Sequence, residues 1–196
     1  ELLGEVDLGE LLDDAVVATV EGELQRLDPS RHARGSEGVA DLLRELGPLP
    51  AVEVAQRITE PAQADAWLRA LQAAGRAIRV PVAGAQQWAA VENAARLRDA
   101  LGIIPPADVD EVFLAPVPDP LGDLLGRHAR THGPFSSGSV AARFGLGVAV
   151  VDAALHALQE QGQLVRGRFG LDRRAADEVA AAASPRAGHE WVGTEV

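Results

Sequence analysis

Cysteine is absent from the 196 residues, which excludes a disulfide framework, a thiolate metal site and a thiol nucleophile. Lysine, methionine and tyrosine are absent too, so all 18 basic residues are arginine. Aromatics make up only 4% of a chain that is 47% hydrophobic, so Ala, Leu and Val must fill its cores. That composition favours closely packed helices. No apolar run reaches the roughly 18 residues a membrane span needs, and no signal-peptide pattern opens the chain. We therefore expect a soluble, cytoplasmic protein with no membrane partner. Position 1 is Glu rather than Met, so the chain is expected to be a piece of a longer polypeptide. It has no Gly-Lys-Ser/Thr phosphate loop and no acidic motor motif, so this stretch is not expected to hydrolyse ATP.

What is present is strongly acidic. The formal net charge is −11, which reads as plain solubility or as a poor match to indiscriminate coating of nucleic acid, since phosphate neutralisation needs clustered positive charge. The acidity is uneven. Asp and Glu number 14 against 5 Arg in residues 1–60, 7 against 5 in 61–120, and 8 against 8 in 121–196.

Residues 1–27 read as an acidic amphipathic helix, with Leu8, Leu11, Leu12, Ala15, Val16, Ala18 and Val20 on its apolar face. Such a helix packs on its own protein or binds a partner. With the polar loop up to residue 35 it would be the edge of a preceding unit. Residues 36–102 then read as a first winged-helix unit. One helix holds Val39, Leu42, Leu43 and Leu46, a second runs from about Ala51 to Ile58, and a third from Pro61 to Ala74 carries the buried row Ala64, Leu68, Leu71. A hairpin follows from Ala77 to Val91, and Asn93 is placed to cap a helix Ala94–Leu101. Residues 103–120 hold five prolines among apolar residues, a linker expected to lie along the surface. Residues 121–196 read as a second winged-helix unit: a helix to His132, a short helix ending at Phe144, a Gly145-Leu146-Gly147 turn, a helix through Val151, Leu155 and Leu158 to Gly162, and a strand Leu164–Phe169. The fold class is mainly α (α+β), with tandem winged helix-turn-helix units.

The two units repeat each other. Gly47-Pro48-Leu49 falls on Gly133-Pro134-Phe135 and Val54–Ile58 on Val140–Phe144 at a spacing of 86, while Leu68, Leu71 and Gly75 fall on Leu155, Leu158 and Gly162 at 87. Trp88 corresponds to Trp191, and about twenty residues, Gly170–His189, are inserted into the second wing. That insert reads as mobile low-complexity sequence.

A winged helix that reads DNA carries Arg, Lys, Asn or Gln on the exposed face of its third helix. The corresponding rows here are Ala62, Asp65, Arg69, Gln72 and Ala149, Asp152, His156, Gln159. An Asp in the first exposed turn of each would repel phosphate, so base reading by these helices is not expected. The candidate nucleic-acid contacts are instead Arg127 and Arg130 on the preceding helix, Arg166 and Arg168 on the wing strand, and Arg173, Arg174 and Arg186 in the insert. Such a set grips phosphates without reading sequence. Alternatively the wing arginines pair with Asp172, Asp177 and Glu178, the reading the sequence favours. No catalytic residue is assigned. His128 and His132 stand four apart, but a third metal ligand is lacking, and both are expected to be solvated. Gln159-Glu160-Gln161 has the Gln-x-Gln form of a class of winged-helix DNA glycosylases, yet it falls on a helix end rather than a strand, so it is read as coincidence.

The run Pro116–Leu124, then Arg130–Phe135, Val140–Gly147 and Glu190-Trp191, resembles the large helicase-related (Lhr-type) bacterial DEAD/DEAH-box proteins, strongly over 113–192 and less so before. The chain departs from the family's usual pattern at Val192, at His128 and in the long wing insert. The resemblance implies a tandem winged-helix piece of the C-terminal half of an ATP-dependent 3′-to-5′ helicase linked to DNA repair. It implies ATP and Mg in a motor outside this stretch and no cofactor within it. Implied partners are other domains of the same polypeptide, a further copy of the chain, and DNA or an RNA:DNA hybrid; the implied location is the bacterial cytoplasm, at the nucleoid. Three roles stand as expectations: a non-catalytic scaffold with non-specific nucleic-acid contact, a glycosylase-like repair module using Asp152 or Glu160, or, outside that family, an acidic adaptor like the chromosome-condensation proteins.

Overall fold

The computed structural model describes residues 13–167, 169 and 189–195. The first helix, α1, spans Asp14–Leu24 and is started by the Asp13 side chain, which accepts a hydrogen bond from the Ala15 N–H at 2.8 Å. Its buried side differs from the predicted one. Ala15, Val16, Ala18 and Val20 are exposed, and the helix turns Val17 and Gln25 inward instead. The inner row is half polar because it lies across hydrogen-bonding groups of both units, as described below. Leu8, Leu11 and Leu12 lie outside the described residues.

The first unit is built from α2 (Gly35–Leu46), α3 (Ala51–Ala55), α4 (Ala64–Ala73), and the hairpin strands β1 (Ala77–Val82) and β2 (Ala85–Ala90). Val39, Leu42, Leu43 and Leu46 recur at helical spacing, so α2 presents one continuous apolar stripe to the core. That core also holds Leu49, Val54, Ile58, Leu68 and Leu71. Each such side chain removed from water contributes about 1.5–3 kcal/mol. Ala83 and Gly84 both take positive φ in the hairpin turn, 49° and 78°, the twist that two-residue hairpin loops need.

Helix α5 (Ala94–Leu101) follows, but Asn93 does not cap it through its side chain. That side chain is buried and bonds outward: Oδ1 accepts from Arg96 and, at 3.4 Å, from Arg127 Nη1, while Nδ2 donates to the Leu43 carbonyl at 3.4 Å. The proline-rich segment then lies along the protein. Ile103 is buried, Phe113 and Leu114 pack against the core, and Arg98 Nη1 donates to the Leu114 carbonyl at 2.9 Å.

The second unit comprises α6 (Pro120–Thr131), β3 (Phe135–Ser136), α7 (Ser137–Phe144), α8 (Val148–Glu160), β4 (Leu164–Gly167) and β5 (Glu190–Gly193). Strand β4 stops at Gly167, short of the predicted Phe169. The sheet order is β3-β5-β4, all antiparallel, with Phe135 opposite Trp191 and Trp191 opposite Arg166. In the first unit Leu49 bridges Trp88, and Trp88 lies opposite Arg79. The repeat thus extends to the cross-strand order: an apolar residue, a tryptophan and an arginine. Gly75 and Gly162 end their helices with φ of 69° and 75°, the left-handed turn that glycine adopts without strain.

The units share a core. Strands alternate their faces, and both faces of the β1–β2 hairpin contribute to cores, with Arg79, Pro81 and Gln86 left exposed on the tryptophan side. Ala77, Trp88 and Ala90 face the first core, whereas Ile78, Val80, Val82, Ala89 and Val91 face a second core with Leu97, Leu124, Leu125, Val140, Phe144, Leu155 and Trp191. At the hairpin tip the fit is close: a Cβ on Gly145 would lie 3.1 Å from the Ala83 Cα.

Candidate nucleic-acid interface

The predicted contact arginines separate into three settings. Arg127 is half-buried at the junction of the units: its Nη1 donates to the Arg44 carbonyl and, at 3.4 Å, to Asn93 Oδ1. Both acceptors are neutral. Burial, and then the nearby Arg96, hold this guanidinium below its ordinary pKa, against the pull of Asp123. Arg130, three residues on, is exposed and forms no ion pair among the described residues. Arg166 is exposed on β4. Arg168, Arg173, Arg174 and Arg186 lie outside the described residues, as does most of the insert with Asp172, Asp177 and Glu178.

Arg166 belongs to a small cluster. Its guanidinium carbon sits 5.7 Å from the Trp191 ring centroid, and Nη1 donates to His156 Nε2 at 3.2 Å. His156 Nδ1 donates in turn to the Asp152 carbonyl at 2.7 Å, which fixes the ring as the Nδ1–H tautomer, since a carbonyl only accepts and a guanidinium only donates. The His156 ring meets Trp191 edge-on, with centroids 5.0 Å apart. Asp152 was predicted to be solvated, but it is half-buried: its Oδ1 accepts from Ser137, whose Oγ accepts from Trp191 Nε1 at 3.0 Å. The chain Trp191–Ser137–Asp152 joins β5 to the starts of α7 and α8 and lines a cleft of about 410 Å³ that His156 and Arg166 border. Its carboxylate is held by a hydroxyl rather than pointed at solvent, which periodicity alone did not reveal. In the first unit Arg79 lies over Trp88 at 5.4 Å, so the cation–π pair is repeated, although the sequence reading matched only the tryptophans. Gln159 and Glu160 are exposed at the end of α8, away from a strand, and Gln161 caps that helix.

His128 and His132 are a correction. His128 is buried and His132 half-buried rather than solvated: their rings stack with centroids 3.6 Å apart, and His128 meets Phe135 edge-on at 5.0 Å. The pair falls on the inward side of α6 because Leu124 and Leu125 set that face. Burial pushes the His128 pKa well down, with His132 adding to the effect, and burial takes His132 down to about 4. Among the described residues no three His, Cys, Asp or Glu side chains gather as a metal site.

Two further residues missed by the sequence reading tie α1 to both units. Gln25 is buried: its Nε2 donates to the Thr131 carbonyl, while its own carbonyl and Oε1 accept from Arg57 at 2.8 and 3.0 Å. Glu21 accepts from the Gly133 N–H. Arg143 of the second unit reaches Glu53 of the first at 3.3 Å, and Arg96 pairs with Asp123 across the same junction. A lone polar residue at a nominally apolar helix position, such as Gln25 behind Val17, is the signal that was available.

The sequence matches the family model described as large helicase-related protein, winged-helix domain, over residues 10–116. The chain belongs to the large helicase-related family. It is 52% identical over 88% of its length to a protein of Mycolicibacterium smegmatis named Lhr helicase/probable uracil glycosylase, and 46% identical over 91% to an Escherichia coli protein named Lhr helicase/uracil glycosylase. The matched chain spans only 11% and 12% of those relatives. Family membership and the described fold agree: this is a winged-helix segment of a large helicase-related protein. No single described helix is long and apolar enough to cross a membrane.

Proposed function

We propose that this segment is a non-catalytic scaffold in the C-terminal region of an ATP-dependent Lhr-type helicase acting in DNA repair. It would hold two winged-helix units as one rigid body against other domains of the polypeptide or a further copy. On this reading ATP and Mg serve a motor elsewhere in the parent protein, and nucleic acid is touched only without sequence specificity. The observation that carries the reading is the hairpin β1–β2, which contributes one whole face to the second core and the base of its other face to the first. A wing with one face sealed in the neighbouring unit makes a stiff inter-unit wall, and only Arg79, Pro81 and the residues of its tip stay exposed. The ion pairs Arg143–Glu53 and Arg96–Asp123 and the Gln25 bridge add to the same junction.

Chemical denaturation tests this. Trp67 and Trp88 report on the first unit and Trp191 on the second; a rigid scaffold unfolds in one transition, with fluorescence of single-tryptophan variants and far-UV circular dichroism coincident. Separate midpoints for the two units would remove the basis of the proposal.

A second reading is favoured by one observation, the half-buried Asp152 in its cleft beside Ser137 and His156, together with the relatives' names. Base excision needs a carboxylate or Gln to activate water beside a base pocket. We hold it second because the Asp152 carboxylate is tied to Ser137 and Trp191 as a structural link. Uracil release by this chain that vanished in Asp152→Asn with an unchanged melting curve would reverse the order.

A further inference from the structure

Helices α4, α5, α7 and α8 are each followed by a glycine in the left-handed region: Gly75, Gly102, Gly145 and Gly162, with φ of 69°, 67°, 69° and 75°. Helix α1 closes with the same pair of backbone bonds as α4 and α8. The Arg26 N–H donates to the Glu23 carbonyl at 3.1 Å, and the Leu27 N–H to the Gly22 carbonyl at 2.7 Å. Yet the residue in its left-handed position is Arg26, at φ 56°. A side chain strains the backbone there, where glycine would not. Such strain points to a side chain required in its place. Arg26 borders a cleft of about 450 Å³ where α2, α6 and the end of α1 meet. Five arginines line it, Arg26, Arg31, Arg44, Arg127 and Arg130, against Glu23 and Glu45. Arg44 is neutralised by Asp41 at 2.6 Å and Glu92 at 3.0 Å. Arg26 and Arg31 hold Glu45 at 2.6 Å and Glu23 at 3.1 Å, in pairs whose side chains are 37–57% exposed. Exposed pairs of that kind are weak and exchange for a better-placed carboxylate. Arg127 and Arg130 form no ion pair among the described residues, and Arg127 bonds only neutral oxygens, through Nη1. Leu24 and Leu46 give the same cleft an apolar wall.

We propose that this cleft binds an acidic segment of a partner protein, one that sets two carboxylates beside a leucine-sized apolar side chain. Guanidinium forks take carboxylates in paired, charge-assisted bonds. The charges that three of the cleft's arginines already hold are all carboxylates of this chain. Arg127 and Arg130 stand three apart on α6 and are neighbours on its surface. Two acids close in a partner's sequence therefore reach both, while the apolar side chain covers Leu24 and Leu46. Recognition of acidic motifs by arginine clusters follows this pattern. Two features disfavour a nucleic-acid strand in the same place. Among the described residues no aromatic ring lines the cleft, so bases have nothing to stack on. A strand also carries charge at every nucleotide beyond the cleft, and the first 60 residues hold 14 acidic against 5 basic side chains. A protein segment is charged only where it meets the arginines. The proposal goes beyond the scaffold reading and does not rest on it: the units can unfold together whether or not the segment binds.

The test is fluorescence anisotropy of the 196-residue chain with a labelled peptide whose centre, Glu-Asp-Leu-Glu, is set in a Gly-Ser frame. Binding is expected at low salt and to weaken as salt is raised from about 50 to about 200 mM. A peptide with Gln and Asn for its acids is expected to bind at least about tenfold less tightly, and one with Ser for its Leu about threefold to tenfold less. Arg130→Ala and Arg26→Gly are each expected to weaken binding about threefold to tenfold. Arg26→Gly also relieves the backbone, so its melting temperature is expected to hold or rise while binding falls, a split that a purely structural arginine would not give. Glu45→Gln, which releases Arg26, is expected to strengthen binding, and Arg69→Ala on the exposed face of α4 to leave it unchanged. No binding at low salt would overturn the proposal, as would binding unchanged in both Arg130→Ala and Arg26→Gly. Oligothymidylate that bound more tightly and displaced the peptide would assign the cleft to nucleic acid. Self-association of the chain that was lost in Arg130→Ala would assign it to a second copy. Displacement of the peptide by inorganic phosphate at equal concentration would make it an isolated anion site. Any of these three results overturns the proposal.

Discussion

The two wings are made from the same parts and have opposite fates. Each carries a tryptophan on the return strand, an arginine stacked over it from the neighbouring strand, and an apolar residue bridged on the other side. In the first, the second face of the hairpin is Ile78, Val80, Val82 and Ala89, and the second unit covers it. In the second, β4 is short, and Val165 on the corresponding face remains exposed. A repeated fold therefore does not imply a repeated role. What decides is the face opposite the tryptophan: where it is long and apolar it becomes an interface, and where the strand is short it remains a surface.

The largest expected effect breaks the second core at its centre. Trp191→Ala should cost about 3–5 kcal/mol, the usual range for emptying a buried aromatic site. Because the first hairpin lines that same core, urea denaturation should show the first unit's tryptophans destabilised as well. A midpoint for Trp88 fluorescence that stayed put would mean the units are independent.

The junction's acid sensitivity comes next. His132, lowered to about 4 in the fold, would titrate near its ordinary 6.5 in the unfolded chain, and His128 shifts the same way. Between those values the unfolded state binds protons that the folded state refuses, so stability is full above about pH 6.5 and is lost as pH falls toward about 4. The melting temperature should decline from pH 6.5 to 5, above most carboxylate titration, and replacing both histidines with glutamine should flatten that decline. A slope unchanged in the double variant would show that other groups carry it.

Gly145→Ala is expected to cost about 1–2 kcal/mol. It combines a φ of 69° with a Cβ that would press on the Ala83 backbone at 3.1 Å. The same exchange at Gly162, with φ of 75° and open space around it, isolates the backbone part; equal losses at the two sites would show that the hairpin tip is not tightly seated. Smallest are the stacked arginines. Arg79→Ala and Arg166→Ala should each cost about 0.5–1 kcal/mol, as exposed cation–π contacts do, and thermal denaturation should find them alike. A marked asymmetry would mean the wings differ in more than their outer faces.

Helical periodicity, the glycines that close the helices and the spacing of the repeat were enough to place α2 to α8 and both hairpins. These are local signals, set by side-chain period and by the few residues that tolerate left-handed backbone. The resemblance to the helicase family rested on the second unit's motifs and agrees with the family match. The candidate contacts were legible as arginines but not as a site. Arg127 was predicted beside Arg130 on one helix, yet only the approach of α2 and of the segment after α1 puts Arg44, Arg26 and Arg31 across from them. The histidines and Asp152 were misread for one reason: whether a polar residue at a helix edge meets water depends on what packs over that edge.

By itself, then, the sequence determined the elements, their order and their repetition, because those follow from short-range periodicity and turn chemistry. Tertiary structure alone decided that one face of the first wing is an internal wall, that α1 straps both units through Val17, Glu21 and Gln25, and that five arginines distant in the chain face one cleft. The physical reason is that burial and charge neutralisation belong to pairs of surfaces, and no single stretch of chain records its partner.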